Sequence, residues 1–333
     1  MDAYRFARPA LFALPPEAAH RAALAALRLA GRLPSARRAN DAITEDVKGL
    51  RVLNRVGLAA GFDKNGAAID GIGRLGFGFI EIGTVTPRPQ PGNPRPRLHR
   101  VPGAEALINS MGFPNDGAAV IAERIRRRRY RGAIGVNIGK NATTAIDAAA
   151  ADYIAGFEAF RDVADYIVIN VSSPNTANLR SLQDGARLDD ILGPLAGRRD
   201  ASAAPKLLLK IAPDLQDAEI DSIAAACLRH GIDGVVATNT TLARDGLPAR
   251  ARPYPEGGLS GAPLNQRALA VVRQLRACLG PAPLLIGCGG ISSAEDASAF
   301  FDAGADLVQL YTGLIYRGPG LVRACARASA PSI

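Results

Sequence analysis

Eight short apolar runs, each followed by a stretch of helical character, recur from residue 56 to the end of this 333-residue chain. They are Val56–Phe62, Phe79–Val85, Ala133–Ile138, Tyr166–Val171, Lys206–Ile211, Gly234–Thr238, Leu284–Gly287 and Leu307–Tyr311. Runs this short and this continuously apolar suit strands buried on both faces, the habit of parallel sheets covered by helices. Helical stretches between them include Asp147–Val163, Asp217–His230, Leu264–Leu279 and Ala294–Ala303. Eight β-then-α units with no obvious mid-chain linker predict an α/β fold, a closed (β/α)8 TIM barrel. An open doubly wound sheet is the alternative. Two segments, Pro87–Ile108 and Leu242–Leu259, exceed simple loops and are expected to shape or cover the site at the carboxyl ends of the strands.

The first 40 residues follow a different pattern. Two amphipathic helical pieces are expected over residues 3–33, punctuated by Pro9 and by Pro15-Pro16. In the second piece His20, Leu24, Leu27 and Gly31 share one face, while Arg21, Arg28 and Arg32 gather on another. Gly31–Asn40 reads as a linker, so residues 1–40 form a small helical extension and residues 41–333 the barrel domain. The extension holds seven arginines against Asp2 and Glu17, a net +5 of the whole chain's +9. An apolar face flanked by arginines suits a helix lying on a membrane surface; a helical pair packed on its own domain is the other reading. No apolar run approaches the roughly 18 residues that would span a bilayer, and no signal peptide is expected. The arginine run 126–129 reads as a solvated helix end.

Four cysteines without CxxC spacing and three scattered histidines argue against a disulfide framework, a metal site or a Ser-His-Asp triad. Chemistry must therefore come from the strand ends. The fourth run leaves its strand through INVSSPNT (169–176), with Ser173 the candidate for the chemistry; an ordinary turn is the other reading. The other ends offer Lys64, Asn137, Lys210, Thr238, Asn239, Thr240, Gly287–Gly290, Tyr311 and Thr312. No pair of carboxylates converges there, which excludes a glycosidase-type acid and base. Amides, hydroxyls and two lysines in apolar strands suit a planar heterocycle with many hydrogen bonds. Gly289-Gly290, with a capping box expected from Ser292 and Glu295, suits a phosphate, and the two together suggest flavin mononucleotide (FMN).

Ten ordered blocks carry a resemblance. LAAGFDKNG (58–66), IEIGTVTPRPQPGNPRPRLHR (80–100), LINSMGF (107–113), VNIGKN (136–141), INVSSPNT (169–176), LKIAPDL (209–215), ATNTT (237–241), GGLSG (257–261), GCGGI (287–291) and QLYTG (309–313) together resemble dihydroorotate dehydrogenase. Serine at 173, where soluble members use cysteine, and the helical extension resemble the quinone-linked, membrane-associated class. The resemblance implies oxidation of dihydroorotate to orotate in pyrimidine biosynthesis. Ser173 would be the base, with Thr176 in a proton relay through water. Lys64, Asn109, Ser110, Met111, Gly112, Phe113, Asn170, Asn175, Asn239 and Thr240 would hold the substrate. FMN would lie on Ala60, Gly61, Phe62, Asp63, Lys64, Thr84, Asn137, Asn170, Lys210, Thr238, Gly261, Gly290, Tyr311 and Thr312. Ubiquinone or menaquinone would enter through the N-terminal helices near His20 and Arg100. The implied location is peripheral, on the cytoplasmic side of the cell inner membrane, with a monomeric chain and neither metal nor nucleic acid as partner. Ser110 and Cys288 depart from the family pattern beside the site.

Two other functions fit parts of the chain. A flavin barrel that modifies RNA would suit the basic charge, but the LINSMGF and SSPNT blocks count against it. A silent membrane-surface barrel that only binds ligand would retain the pocket without the chemistry.

Overall fold

Alternation of side chains along eight parallel strands sorts the apolar residues of the barrel into two cores. The computed structural model describes residues 4–34, 44–199, 205–249 and 253–329. Helices α1 (Tyr4–Ala13) and α2 (Pro16–Arg32) come first. A hairpin of β1 (Glu45–Val47) and β2 (Leu50–Val52) precedes the first barrel strand, β3 (Val56–Leu58). Next come α3 (Ile69–Gly73), β4 (Phe79–Val85), β5 (Leu98–Val101), β6 (Ala106–Asn109), α4 (Ala118–Arg126) and β7 (Ala133–Ile138). The chain continues through α5 (Ala149–Phe160), β8 (Tyr166–Asn170), α6 (Gly185–Ala196), β9 (Lys206–Ile211), α7 (Asp217–Arg229) and β10 (Gly234–Ala237). It ends with β11 (Gly258–Gly261), α8 (Asn265–Leu279), β12 (Leu284–Cys288), α9 (Ala294–Asp302), β13 (Leu307–Leu310), α10 (Thr312–Arg317) and α11 (Gly320–Ala328).

Strands β3, β4, β7, β8, β9, β10, β12 and β13 close into a parallel barrel, sealed where Val308 pairs with Val56 and Leu310 with Leu58. This is the expected TIM barrel, and the open-sheet alternative falls away. Outward residues such as Ile80, Ile134, Ile167, Leu209 and Val308 pack beneath the helices. Inward residues Phe79, Tyr166, Leu208, Val236, Leu284 and Leu307 fill the barrel's amino-terminal half. Two residues further along their strands, the inward positions become Glu81, Lys210 and Gln309, all buried. The barrel is thus oily at one end and polar at the other. Truncating one of the inner leucines to alanine would cost about 2–5 kcal/mol.

The β1–β2 hairpin adds Val47, Leu50 and Val52 to the inner core and so plugs the oily end. At the polar end, the two long excursions meet in one antiparallel sheet of order β11-β6-β5, with Gly258 opposite Asn109. The first barrel strand is shorter than expected, because the chain turns out of the sheet after Leu58. Asp63 holds that turn by accepting from the amides of Ala67 (3.0 Å) and Ala68 (2.7 Å).

The two N-terminal helices form as expected. His20, Leu27 and Gly31 face the barrel, and α2 approaches α3 so closely that a Cβ on Gly71 would lie 1.9 Å from the Leu27 carbonyl. Arg21, Arg28 and Arg32 are exposed. Gly31 and Arg32 belong to α2 rather than to a linker; residues 35–40 and the expected domain border at 40/41 lie outside the described residues. The arginine run is only partly a solvated end, since Arg129 pairs with Asp70 at 3.2 Å and donates to the Gly31 carbonyl. The expected capping box does not form; the cap sits one residue later, where Ser293 caps α9 by accepting from the Asp296 amide at 3.1 Å. Asp296 in turn accepts from the Ser292 amide at 2.8 Å, a bond that Glu295 does not make.

Candidate active site

Seven strand ends, those of β3, β4, β8, β9, β10, β12 and β13, and the β6–β11 sheet enclose one polar cavity. Its floor is a string of amides. Asn170, at the end of β8, donates to Thr84 Oγ1 at 2.9 Å and to Asn137 Oδ1 at 3.0 Å. The Asn170 carbonyl oxygen Oδ1 accepts from Ser172 Oγ (3.1 Å) and from Asn239 Nδ2 (3.3 Å). On the lid side Asn175 donates to Asn109 Oδ1 at 3.0 Å, and Asn109 donates to the Gly258 carbonyl at 3.3 Å. Each amide is thus fixed by another, which leaves their remaining groups oriented for a ligand.

Ser173 lines this cavity and is 5% exposed. Its Oγ accepts from the Asn175 amide at 3.2 Å, so the loop itself holds the hydroxyl in place. No histidine lines the cavity. Lys64 does, donating to the Gly61 carbonyl at 2.6 Å. Burial foremost, then the nearby Arg97 charge, brings the Lys64 ammonium down to about 8, against the opposing pull of Asp63 and Glu17. The Cys288 thiol is pushed up by burial, with Lys210 working against that shift, which suits an inert wall rather than a nucleophile.

The far side of the cavity is built from Gly261, Gly289, Gly290 and Thr312. Gly290 has φ +70°, and a Cβ there would come within 2.5 Å of the Asn265 amide nitrogen, so only glycine fits. The backbone amides of Gly290 and Thr312 donate to no partner among the described residues. Ser260 Oγ and Thr312 Oγ1 lie 2.8 Å apart in the same wall. Free amides, hydroxyls and Lys210 are a donor set suited to a phosphorylated, anionic-on-reduction heterocycle, so the residues fit a flavin nucleotide. Among the described residues no cluster of His, Cys, Asp or Glu is arranged for a metal.

A second cavity, almost wholly apolar, lies between the N-terminal helices and the barrel. His20 lines it, stacked edge-on against Phe62 with ring centroids 5.2 Å apart. Burial, then the Lys64 charge, pulls the His20 imidazole down to about 4, so it is neutral at pH 7. Arg100 lines the same cavity and ties down the end of α1, donating to the carbonyls of Leu14 (2.8 Å) and Leu11 (3.2 Å). Tyr311 belongs to the walls of both cavities.

Residues 42–328 match the family model described as dihydroorotate dehydrogenase. The chain belongs to the dihydroorotate dehydrogenase family. The dihydroorotate dehydrogenase (quinone) of Aromatoleum aromaticum is 52% identical over 332 residues, covering 98% of this chain and 95% of its own. That of Methylococcus capsulatus is 53% identical over 332 residues, covering 97% of each. Among solved structures, ligand-free DHODH from Eimeria tenella superposes with a TM-score of 0.83 at 37% identity, covering 94% of this chain and 93% of that one. The complex of the same enzyme with ferulenol gives 0.85 at 36% identity, covering 94% and 90%. The dihydroorotate dehydrogenase family is flavin-dependent. These matches set aside the RNA-modifying barrel.

Most residues expected at a dihydroorotate dehydrogenase site line the polar cavity, including Lys64, Asn109, Met111, Gly112, Phe113, Asn170, Ser173, Asn175, Asn239 and Thr240. Ala60, Gly61, Thr84, Lys210, Thr238, Gly261, Gly290, Tyr311 and Thr312 line it too. Others stand elsewhere. Phe62 faces the apolar cavity, the Asp63 carboxylate is taken up by its own loop, and Asn137 lies beneath the floor. Ser110 and Thr176 are not in the lining; Ser110 donates its amide to the Arg97 carbonyl at 2.9 Å. Sequence reasoning missed Glu81, Gln309 and Ser260. The signal for the first two was a single polar residue inside an otherwise apolar run, FIEIG and LVQL.

Proposed function

We propose that this protein oxidises dihydroorotate to orotate in pyrimidine biosynthesis, with FMN in the polar cavity and a membrane quinone, ubiquinone or menaquinone, in the apolar one. The observation that carries the proposal is Tyr311, one side chain shared by two cavities of opposite character. A polar substrate and an apolar acceptor can then meet opposite sides of one buried carrier without meeting each other.

In this reaction the ring loses a proton from one carbon and a hydride from its neighbour, and a carbon–carbon double bond forms. FMN, when bound, is the hydride acceptor. Lys210, Thr84, Asn170 and the amides of Gly290 and Thr312 would hold it. Asn109, Asn175 and Asn239 would hold the substrate ring by its amide edges, with the Lys64 ammonium favouring its carboxylate. Ser173 Oγ would take the carbon-bound proton. Serine is a weak base, and no histidine is at hand to activate it. The positive field of Lys64 acidifies the substrate carbon, and the proton would pass through water towards Thr176, three residues along the same loop.

We further propose that the chain lies on the cytoplasmic side of the inner membrane as a monomer, resting on α1 and α2. Four of its exposed large apolar side chains, Phe6, Leu14, Leu29 and Leu33, sit on or next to these helices, beside exposed Arg5, Arg21, Arg28 and Arg32. No described helix is long and apolar enough to cross a membrane.

The test is anaerobic addition of dihydroorotate to the purified flavin-bound protein. Bleaching of the flavin absorbance is expected, followed by recovery on adding quinone. Flavin that stays oxidised would refute the proposal.

A further inference from the structure

Glu81 on β4 has no solvent exposure at all. Its Oε1 accepts from Asn137 Nδ2 at 2.9 Å and lies 3.9 Å from Lys210 Nζ. Its Oε2 accepts from Gln309 Nε2 at 2.5 Å and from the Tyr166 hydroxyl at 3.4 Å. Gly135 makes room for that hydroxyl, since a Cβ there would lie 2.0 Å from the Tyr166 ring. Burial, and then the Glu81 charge, hold the Tyr166 phenol well above its usual range, so it serves as a donor. The carboxylate therefore faces three donors and one ammonium.

A packing role alone does not account for this. A buried ion pair is commonly no more stable than apolar residues of the same volume, and the layer beneath is filled by Phe79, Leu208 and Leu307. What an acceptor-only group adds is direction. Because Glu81 takes the Asn137 NH2 group, the Asn137 oxygen is left to accept from Thr84 (2.5 Å) and Asn170 (3.0 Å) in the cavity floor. Its charge also balances Lys210, which lines the cavity.

We propose that Glu81 is a positioning residue that sets the flavin's reduction potential, as counter-charge to Lys210 and as the acceptor orienting Asn137. The inference rests on the placement of FMN in the polar cavity. Reduction gives the flavin negative charge, which Lys210 favours and Glu81 tempers.

Glu81→Gln removes the charge and keeps the shape. Its new NH2 group has an acceptor waiting, because Gln309 Oε1 is buried without a partner and becomes available when that amide turns over. Two readouts on the flavin-bound variant report the field directly. One is the midpoint potential. The other is the dissociation constant for sulfite, which adds to oxidised flavin and leaves the ring negatively charged. The expected result is a higher potential and sulfite binding about ten-fold tighter than wild type. A potential and a sulfite constant equal to wild type, or shifted the opposite way, would overturn the proposal even if melting temperature fell. Glu81→Asp, which draws the charge back from Lys210, should shift both values in the same direction by less; if Glu81→Gln does not fold, unchanged values here overturn it. Failure of the wild-type protein to bind FMN would instead remove the cofactor placement, a separate outcome.

Discussion

Phe62 and Tyr311 meet edge to face, with ring centroids 6.0 Å apart and planes at 74°, and form the partition between the polar and apolar cavities. His20 on α2 packs against Phe62 in turn, so an N-terminal helix reaches the wall of the catalytic barrel through two rings. Filling the apolar cavity should therefore separate the two half-reactions. Ala23 lines that cavity and not the polar one, and Ala23→Trp should lower quinone turnover about ten-fold or more. Anaerobic bleaching by dihydroorotate should stay close to wild type. Equal loss of both rates in stopped-flow would show that the cavities are not separate acceptor and donor sites.

Lys64 predicts the alkaline limb of the pH profile. With its ammonium brought down to about 8, chiefly by burial, the free enzyme loses the charge that favours the substrate carboxylate as pH rises past that value. The kcat/KM for dihydroorotate should fall above about pH 8, approaching ten-fold per unit. Lys64→Ala should abolish this limb and lower kcat/KM at neutral pH by about 100-fold. A wild-type profile flat to pH 10 contradicts the role.

Glu17 is the electrostatic tie between α2 and the loop beneath the lid sheet. It pairs with Arg97 at 2.9 Å and with Arg95 at 3.1 Å, while Arg97 donates to the Asn93 carbonyl at 3.0 Å. Asn93 in turn donates to the Asn175 carbonyl at 3.1 Å in the Ser173 loop. Burial raises the Glu17 carboxyl, but the bond and charge of Arg97, helped by Arg95, outweigh it and hold the group below its ordinary 4.5. Its stabilising contribution is complete above that ordinary value and is lost as pH falls through the lower folded value. Glu17→Gln should cost about 1–3 kcal/mol at pH 7, because Arg97 is left buried without its counter-ion, and the difference from wild type should vanish in acid. Parallel denaturant titrations at pH 7 and at stepwise lower pH measure this. A gap that persists in acid would mean the loss is packing rather than charge.

The barrel was legible because buried parallel strands leave uninterrupted apolar runs, and seven of the eight kept their ends to within one residue, as at Phe79–Val85 and Lys206–Ile211; only Val56–Phe62 was drawn too long. The β1–β2 hairpin and the three-stranded lid were not, because strands of three or four residues are too short to show a period. The polar cavity was legible where Asn, Ser and Lys stand at strand ends. Glu81 was not, because its partners Asn137, Tyr166, Lys210 and Gln309 come from four other strands and converge only when the barrel closes. The capping error has a similar cause. Ser292 and Ser293 are adjacent, and only the fold decides which hydroxyl meets a free amide.

Ser173 bears the central claim, and the most direct measurement is the rate of anaerobic flavin reduction by dihydroorotate in Ser173→Ala. The variant removes one hydroxyl from a 5% exposed site and leaves Lys64 and the asparagine string in place. Flavin content and orotate affinity should match wild type, while reduction should slow by about 100- to 10,000-fold at neutral pH. Reduction at the wild-type rate, with orotate still bound, would contradict Ser173 as the base.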